Sequence, residues 1–227
     1  EYGIKTNSFK PRMVMKREVI ADKGIWTAKK RYILNVLDSE GVRFAKPKIK
    51  MMGIEAVKSS TPMSCRDAMK GMFKIMLEGG EDATQKAIRD FKIEFKKLAP
   101  EDIAFPRSCN GIEKFHSKSA IYAKGTPIHV RGSLLYNHRL KVLGLEDEYE
   151  RVEDGNKIKF MYLMKPNPIQ ENVISFSDVL PKEFELHKYI DYDKQFEKAF
   201  LEPLEIILDS IGWTSEPVSD LQQFFEF

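Results

Sequence analysis

Little in this sequence could perform chemistry unaided. Its 227 residues include two cysteines, Cys65 and Cys109, with no ligand spacing around either. That excludes a disulfide framework and a thiolate metal site, and leaves two free thiols suited to a reducing compartment. The four histidines, His116, His129, His138 and His187, show no paired zinc spacing. No Ser-His-Asp arrangement, glycine-rich phosphate loop or Cys-x-x-Cys is present. There is no apolar run long enough to span a bilayer, no signal peptide at the start, no internal repeat and no low-complexity stretch. Charge excess is small too. With 37 basic and 34 acidic side chains the formal charge is +3, so a surface for a polyanion must arise by segregation of charge. The chain opens on glutamate, which reads as a trimmed, processed or partial chain.

What is present begins with Ala28-Lys29-Lys30-Arg31-Tyr32-Ile33-Leu34. The apolar flanks predict a strand, whose alternation puts Lys30 and Tyr32 on one face and Lys29 and Arg31 on the other. Carrying that much charge through a half-buried strand is costly unless an anion or water meets it. A nucleic-acid backbone fits, with Tyr32 against the sugar edge of a groove. A solvated edge strand whose lysines discourage aggregation fits equally well.

The pattern around it predicts an α+β protein that divides near residue 58. Residues 12–20, 24–37 and 43–52 read as strands of an antiparallel sheet, with Asp38-Ser39-Glu40-Gly41 as a turn. Two or three strands make a poor domain, so the edge of this sheet should pair elsewhere. Ser59-Ser60-Thr61-Pro62 predicts a helix start, with hydroxyl caps and a first-turn proline. Met69, Met72, Phe73, Met76 and Leu77 form its apolar stripe, and Gly79-Gly80 ends it. A second helix over 82–98 should run antiparallel to the first. Residues 100–125 read as irregular with a short strand near 102–105. Further helices are expected at 126–143 and 193–211, the latter bent at Pro203. Strands are expected at 157–163 and 173–176.

Asp191-Tyr192-Asp193 looks like a metal-binding carboxylate pair, but it stands where an N-cap belongs, and capping is the better reading. The methionines fill helix stripes and read as packing. After Trp213 the chain turns polar, then ends Asp220-Leu221-Gln222-Gln223-Phe224-Phe225-Glu226-Phe227. Large apolar side chains at a terminus fit a segment that folds onto a partner, or one tucked against its own domain.

The flanks of the basic run carry a resemblance. Trp26, then residues 28–36, then 38–41, resembles the Lys-Lys-Arg-Tyr strand of family B DNA polymerases, in particular the replicative polymerases of T-even-type bacteriophages. The likeness continues through Arg43-Phe44-Ala45, residues 48–53 and Lys58-Ser59-Ser60-Thr61-Pro62. It returns at Pro127-Ile128-His129-Val130-Arg131-Gly132, at residues 198–204 and at Phe225-Glu226-Phe227. The blocks keep the family's order from about Met15 onward.

The resemblance implies the last strands of the polymerase palm (1–58), the thumb (59–213) and a flexible tail with a sliding-clamp peptide (214–227). The family holds Mg2+ on a Tyr-Gly-Asp-Thr-Asp-Ser motif that this chain lacks. It would therefore hold no cofactor and no catalytic residue, and would be inactive alone. Its expected partners are a polymerase part with the exonuclease, palm and fingers, primer–template DNA and the clamp, in the cytoplasm of an infected bacterium. The implied DNA contacts are Lys29, Lys30, Arg31, Tyr32, Lys58, Ser59, Ser60, His129, Arg131 and Lys198. Those to the clamp are Leu221, Phe224, Phe225 and Phe227. Where the phage family usually reads Lys-Pro-Leu this chain has Glu202-Pro203-Leu204, which implies a weaker grip by that helix. A stand-alone DNA- and clamp-binding accessory protein is the alternative.

Overall fold

Two small antiparallel β systems precede the first helix. In the computed structural model, residues 17–117 and 120–217 are described in full, and 2–5 and 11–15 by backbone alone. β1 (Tyr2–Lys5) pairs with β2 (Pro11–Met15) as a separate hairpin. β3 (Val19–Ala28), β4 (Arg31–Ser39) and β5 (Val42–Met52) form a three-stranded sheet with β4 in the centre. Ile25, Ile33 and Met51 lie in register on the face that packs against the core. Trp26, Tyr32 and Met52 form the matching row on the opposite face.

The expected Asp38–Gly41 turn is present. Glu40 and Gly41 both have positive φ, as the mirror-image hairpin turn requires, and the Gly41 amide donates to Asp38 at 2.9 Å. The reading of 28–34 as one strand is corrected. β3 ends at Ala28, Lys29 and Lys30 are the turn, and Arg31 opens β4. Lys30 takes φ 61°, a left-handed conformation rare outside Gly, Asn and Asp. No turn residue marks the spot, so the apolar pattern runs unbroken across it.

α1 (Met63–Phe95) buries Met69, Met72, Phe73, Met76 and Leu77 as expected and breaks at Gly80, where φ is 81° and ψ −171°. Its halves span roughly 25 and 22 Å at about 1.5 Å per residue. Ser64 nevertheless donates to the carbonyl of Asp102 at 2.6 Å, although the link from 95 to 102 reaches at most about 25 Å. The halves therefore bend sharply at Gly80 instead of continuing as one straight rod. The expected hydroxyl cap is absent: Pro62 is the N-cap, no side chain caps it, and Ser59–Thr61 form the preceding turn.

α2 (Pro100–Ile103) is a single helical turn started by proline, and it displaces the expected strand to β6 (Phe105–Ser108). β6, β7 (Lys157–Tyr162) and β8 (Val173–Phe176) make a second antiparallel sheet in that order. α3 (Ile128–Leu143) opens behind Pro127, as the sequence predicts, and lies on β8. The final helix starts at α4 (Tyr192–Phe196), widens into a π segment at Glu197–Leu201 and continues as α5 (Glu202–Asp209). Pro203 has no N–H for the carbonyl of Ala199, and the wide turn reroutes the hydrogen bonds around that gap. Phe91, Phe95, Phe196 and Phe200 interlock between α1 and this helix, with ring centroids 4.6–6.0 Å apart. Fully buried Gln195 donates to Ile103 O at 2.6 Å and accepts from the Tyr162 amide at 3.2 Å, joining helix to sheet.

α3 approaches β8 closely because residue 132 is glycine. A Cβ there would lie 2.8 Å from the Ser175 nitrogen and 2.9 Å from the Ile174 carbonyl carbon. Backbone cannot step aside as a side chain can. Gly132→Ala should therefore cost about 1–3 kcal/mol, as overpacking does. Denaturant unfolding measures this, and an unchanged midpoint would contradict the α3–β8 seating.

Candidate nucleic-acid interface

The basic residues singled out in the sequence fall into two groups, those free to meet a ligand and those already engaged. Lys29 and Lys30 belong to the first: both are exposed at the hairpin tip, and neither has a side-chain partner among the described residues. Tyr32 is half-buried on the open sheet face. Arg31 points the other way. Its Nε donates to Gly53 O at 3.2 Å and its Nη2 reaches both Glu55 oxygens at 3.1 and 3.2 Å. Lys58 also bonds Glu55, at 2.7 Å. Burial alone would push the Glu55 carboxyl up, but the Lys58 hydrogen bond and the Lys58 and Arg31 charges outweigh it, so it stays below the ordinary carboxylate value.

Ser59 and Ser60 face a groove of about 460 Å³ whose opposite wall is Pro106, Arg107, Ser108, Lys157 and Ile158. Arg107 closes one end by donating to Ser60 O at 2.7 Å, and its guanidinium lies 5.8 Å from the Phe105 and Phe160 rings. Burial lowers the Arg107 pKa from its ordinary value, partly offset by Tyr162. His129 is half-buried beside this wall, its ring centroid 6.3 Å from that of Phe160. Burial and the Arg107 charge both push its pKa down. A neutral imidazole at neutral pH is the consequence.

Arg131 does not join this groove. Its Nη2 donates to Asn172 at 2.7 Å and its guanidinium carbon lies 5.7 Å from the Tyr122 ring centroid. Tyr122 in turn bonds Glu171. Arg131 thus ties the start of α3 to two loops. Lys198 is bound by Glu202 one turn on and by Glu197 at 3.5 Å. Two carboxylates offset its charge, which raises its pKa.

The acidic pair at the last helix behaves as a cap should. Asp191 accepts from the Lys194 amide at 3.0 Å, while Asp193 pairs with Lys96 at 2.8 Å and Lys92 at 3.7 Å. Among the described residues no three His, Cys, Asp or Glu side chains are grouped to hold a metal ion. Leu221, Phe224, Phe225 and Phe227 lie outside the described residues. No helix among the described residues is long and apolar enough to cross a membrane.

Arg107 and Lys157 escaped the sequence reading. They meet because β6 pairs with β7, Arg107 opposite Ile158 and Ser108 opposite Lys157. A four-residue strand that itself contains Phe105-Pro106 has too little alternation to announce that partner.

This combination, a free basic hairpin tip and a Ser/Arg/Lys-lined groove with no metal-ligand cluster, suits a polyanion held by its backbone. The comparisons place it in a class: over nearly its whole length the chain is similar to part of a phage DNA-directed DNA polymerase. It is 34% identical over 206 residues to the DNA-directed DNA polymerase of Enterobacteria phage T4, covering 89% of this chain and 22% of that protein. It is 37% identical over 229 residues to that of Escherichia phage RB69, covering 95% of this chain and 25% of that protein. The chain thus spans about a quarter of the length of the curated relatives it matches. No family model matches it.

The Arg31–Glu55–Lys58 cluster has a pH signature. A carboxyl whose pKa is lower in the folded chain stabilises it above the unfolded value, and that support is lost as pH falls through the folded one. Glu55→Gln should cost about 1 kcal/mol at neutral pH. The gap between the two proteins should close in acid, below the ordinary carboxylate range. Unfolding curves at several pH values test this, and a gap that widens in acid would contradict the cluster.

Proposed function

We propose that this chain is the C-terminal palm edge and thumb of a phage family B DNA polymerase, holding primer–template duplex beside an active site built on other residues. The observation that carries the reading is the similarity over 89–95% of this chain to phage DNA polymerases. The geometry supports it: Lys29 and Lys30 stand free at the hairpin tip, and the groove between Ser59–Ser60 and Arg107–Lys157 is wide enough for a sugar–phosphate backbone. In this reading residues 1–58 complete the palm sheet and 59–213 form the thumb. DNA replication would take place in the cytoplasm of the infected host.

Two Mg2+ ions held by carboxylates would drive nucleotidyl transfer in the assembled polymerase. The described residues do not fit that task, because no acidic group of the needed size converges. The contribution of this chain is positioning. Lys29 and Lys30 reach the backbone near the primer end, Tyr32 lies beside the groove edge, and Ser59, Ser60 and Lys157 hold a phosphate further back. His129, neutral and packed on Phe160, shapes the wall beside Arg107. Leu221, Phe224, Phe225 and Phe227 complete the proposal as a plug for the sliding clamp, which would tether the enzyme without touching the chemistry.

Activity separates this reading from a free-standing accessory protein. The isolated chain should show no primer extension with Mg2+ and nucleotides, and extension should return with a polypeptide carrying the exonuclease, palm and fingers. Robust synthesis by the chain alone, or no gain from that partner, would refute the assignment.

Binding supplies the second test. Duplex affinity should fall steeply with salt, and Lys30→Ala or Lys157→Ala should each flatten the log–log salt slope by about one phosphate contact. Arg131→Ala should act mainly on stability, since its partners are protein. Deleting 220–227 should spare distributive synthesis and abolish the gain from the clamp; equal product lengths with clamp would assign the tail another role.

A further inference from the structure

Trp26 is the most exposed aromatic side chain among the described large hydrophobics, at 62%. A single exposed apolar side chain is ordinary, but this one is continuous with further apolar and aromatic side chains on its sheet face. The ring rests on Gly24 beside Leu34: a Cβ on Gly24 would lie 2.5 and 2.7 Å from two indole carbons and 2.8 Å from a Leu34 methyl, so the indole occupies the space that a side chain at 24 would need. Most of the side chain beyond that contact is open to solvent. Across the strands Trp26 pairs with Tyr32 and Tyr32 with Met52, the latter 43% exposed. Leu34 and Lys50 form the next row on the same face, Lys50 being paired with Glu18 at 2.9 Å, and in the row after, beside buried Val36, Lys48 is exposed and 4.3 Å from the Phe44 ring centroid. The hairpin tip beyond Trp26 carries the unpaired Lys29 and Lys30.

A flat aromatic surface bordered by lysines does not match a neutral protein face. It matches a chain that alternates π-faces with negative charges. We infer that the outer face of the β3–β4–β5 sheet is a stacking platform for the unpaired strand that adjoins a primer–template duplex. A base stacks on the exposed indole of Trp26, its neighbour lies toward Tyr32, and the intervening phosphates meet Lys29, Lys30 and Lys48. Base-on-aromatic stacking contributes about 1–3 kcal/mol per base and tolerates any sequence. The inference rests on the polymerase reading only in placing the hairpin tip beside DNA.

The two tryptophans, Trp26 and Trp213, make the test direct. In the Trp213→Phe protein all indole fluorescence comes from Trp26, and an oligothymidylate of roughly ten nucleotides should quench it saturably. Trp26→Ala should weaken oligothymidylate binding about 5- to 100-fold, Trp26→Phe less. Gly24→Ala, which displaces the ring without removing it, should weaken it as well. Affinity for a blunt duplex should change less than twofold in all three, since a paired duplex is held through its phosphates and offers no unstacked base to the indole. Unchanged oligothymidylate affinity in Trp26→Ala would overturn the platform, as would equal losses for single strand and duplex. Loss of association with the polymerase's catalytic part, with oligothymidylate binding intact, would make this face a protein interface. Duplex binding by the unmutated protein is the separate arm: its absence counts against the polymerase reading, not against the platform.

Discussion

Two arginines, one from each three-stranded sheet, grip the short junction that joins the first sheet to α1, and the rest of the basic surface depends on that grip. Arg31, at the start of β4, holds Gly53 O and the Glu55 carboxylate. Arg107, in β6, holds Ser60 O at the other end of the same stretch. Hydrogen bonds to a charged group are worth about 1.5–3 kcal/mol each when well formed. These replace the regular structure that the junction lacks apart from one 3-10 turn at Glu55–Val57. Gly53 makes the first grip possible, because a side chain there would press 2.9 Å from Arg31 Cγ and would also run into the Lys30 carbonyl. Arg31 thus fixes the hairpin tip, and Arg107 the near wall of the groove.

Much of this was legible because helices announce themselves over long windows. The stripe Met69–Leu77, the break at Gly79-Gly80, the opening behind Pro127 and the cap at Asp191 each combine periodicity with a terminating residue, and each has its expected place. The failures share a cause. Lys29-Lys30 turns the chain without any of the residues that normally mark a turn, so the pattern reads straight through. Ser59-Ser60-Thr61 carries capping residues one turn too early, and its role in the groove is visible only once β6 stands opposite. Arg107 and Lys157 lie far apart in sequence and are brought together by strand pairing, a contact that no local window contains.

The sequence names candidate site residues, and the structure shows which of their charges are available. Sequence patterning identifies a lysine or arginine; it cannot see the carboxylate that already holds it. Arg31 and Lys58 share Glu55, and Arg131 is committed to Asn172 and Tyr122. Of the cations singled out in the sequence, Lys29 and Lys30 remain unengaged. With a formal charge of only +3, this internal pairing decides where positive potential reaches solvent, more than the number of basic residues does.

The last helix shows the same principle at the position where this chain departs from the phage pattern. Glu202 stands where the resemblance leads one to expect a lysine, and its consequence is larger than one lost cation. It lies one turn beyond Lys198 and bonds it, while Glu197 approaches from the preceding residue. A lysine at 202 would leave two cations on this turn facing a single carboxylate; the glutamate leaves one cation between two. The local charge therefore falls by two units, from net positive to net negative. Lys198 keeps its place in the sequence pattern and loses most of its reach for an anion, since taking up a phosphate would mean breaking an ion pair with a neighbour held on the same helix face. In the proposed polymerase reading, grip on a polyanion would then be concentrated at the hairpin tip and the groove, on the elements that Arg31 and Arg107 hold in place.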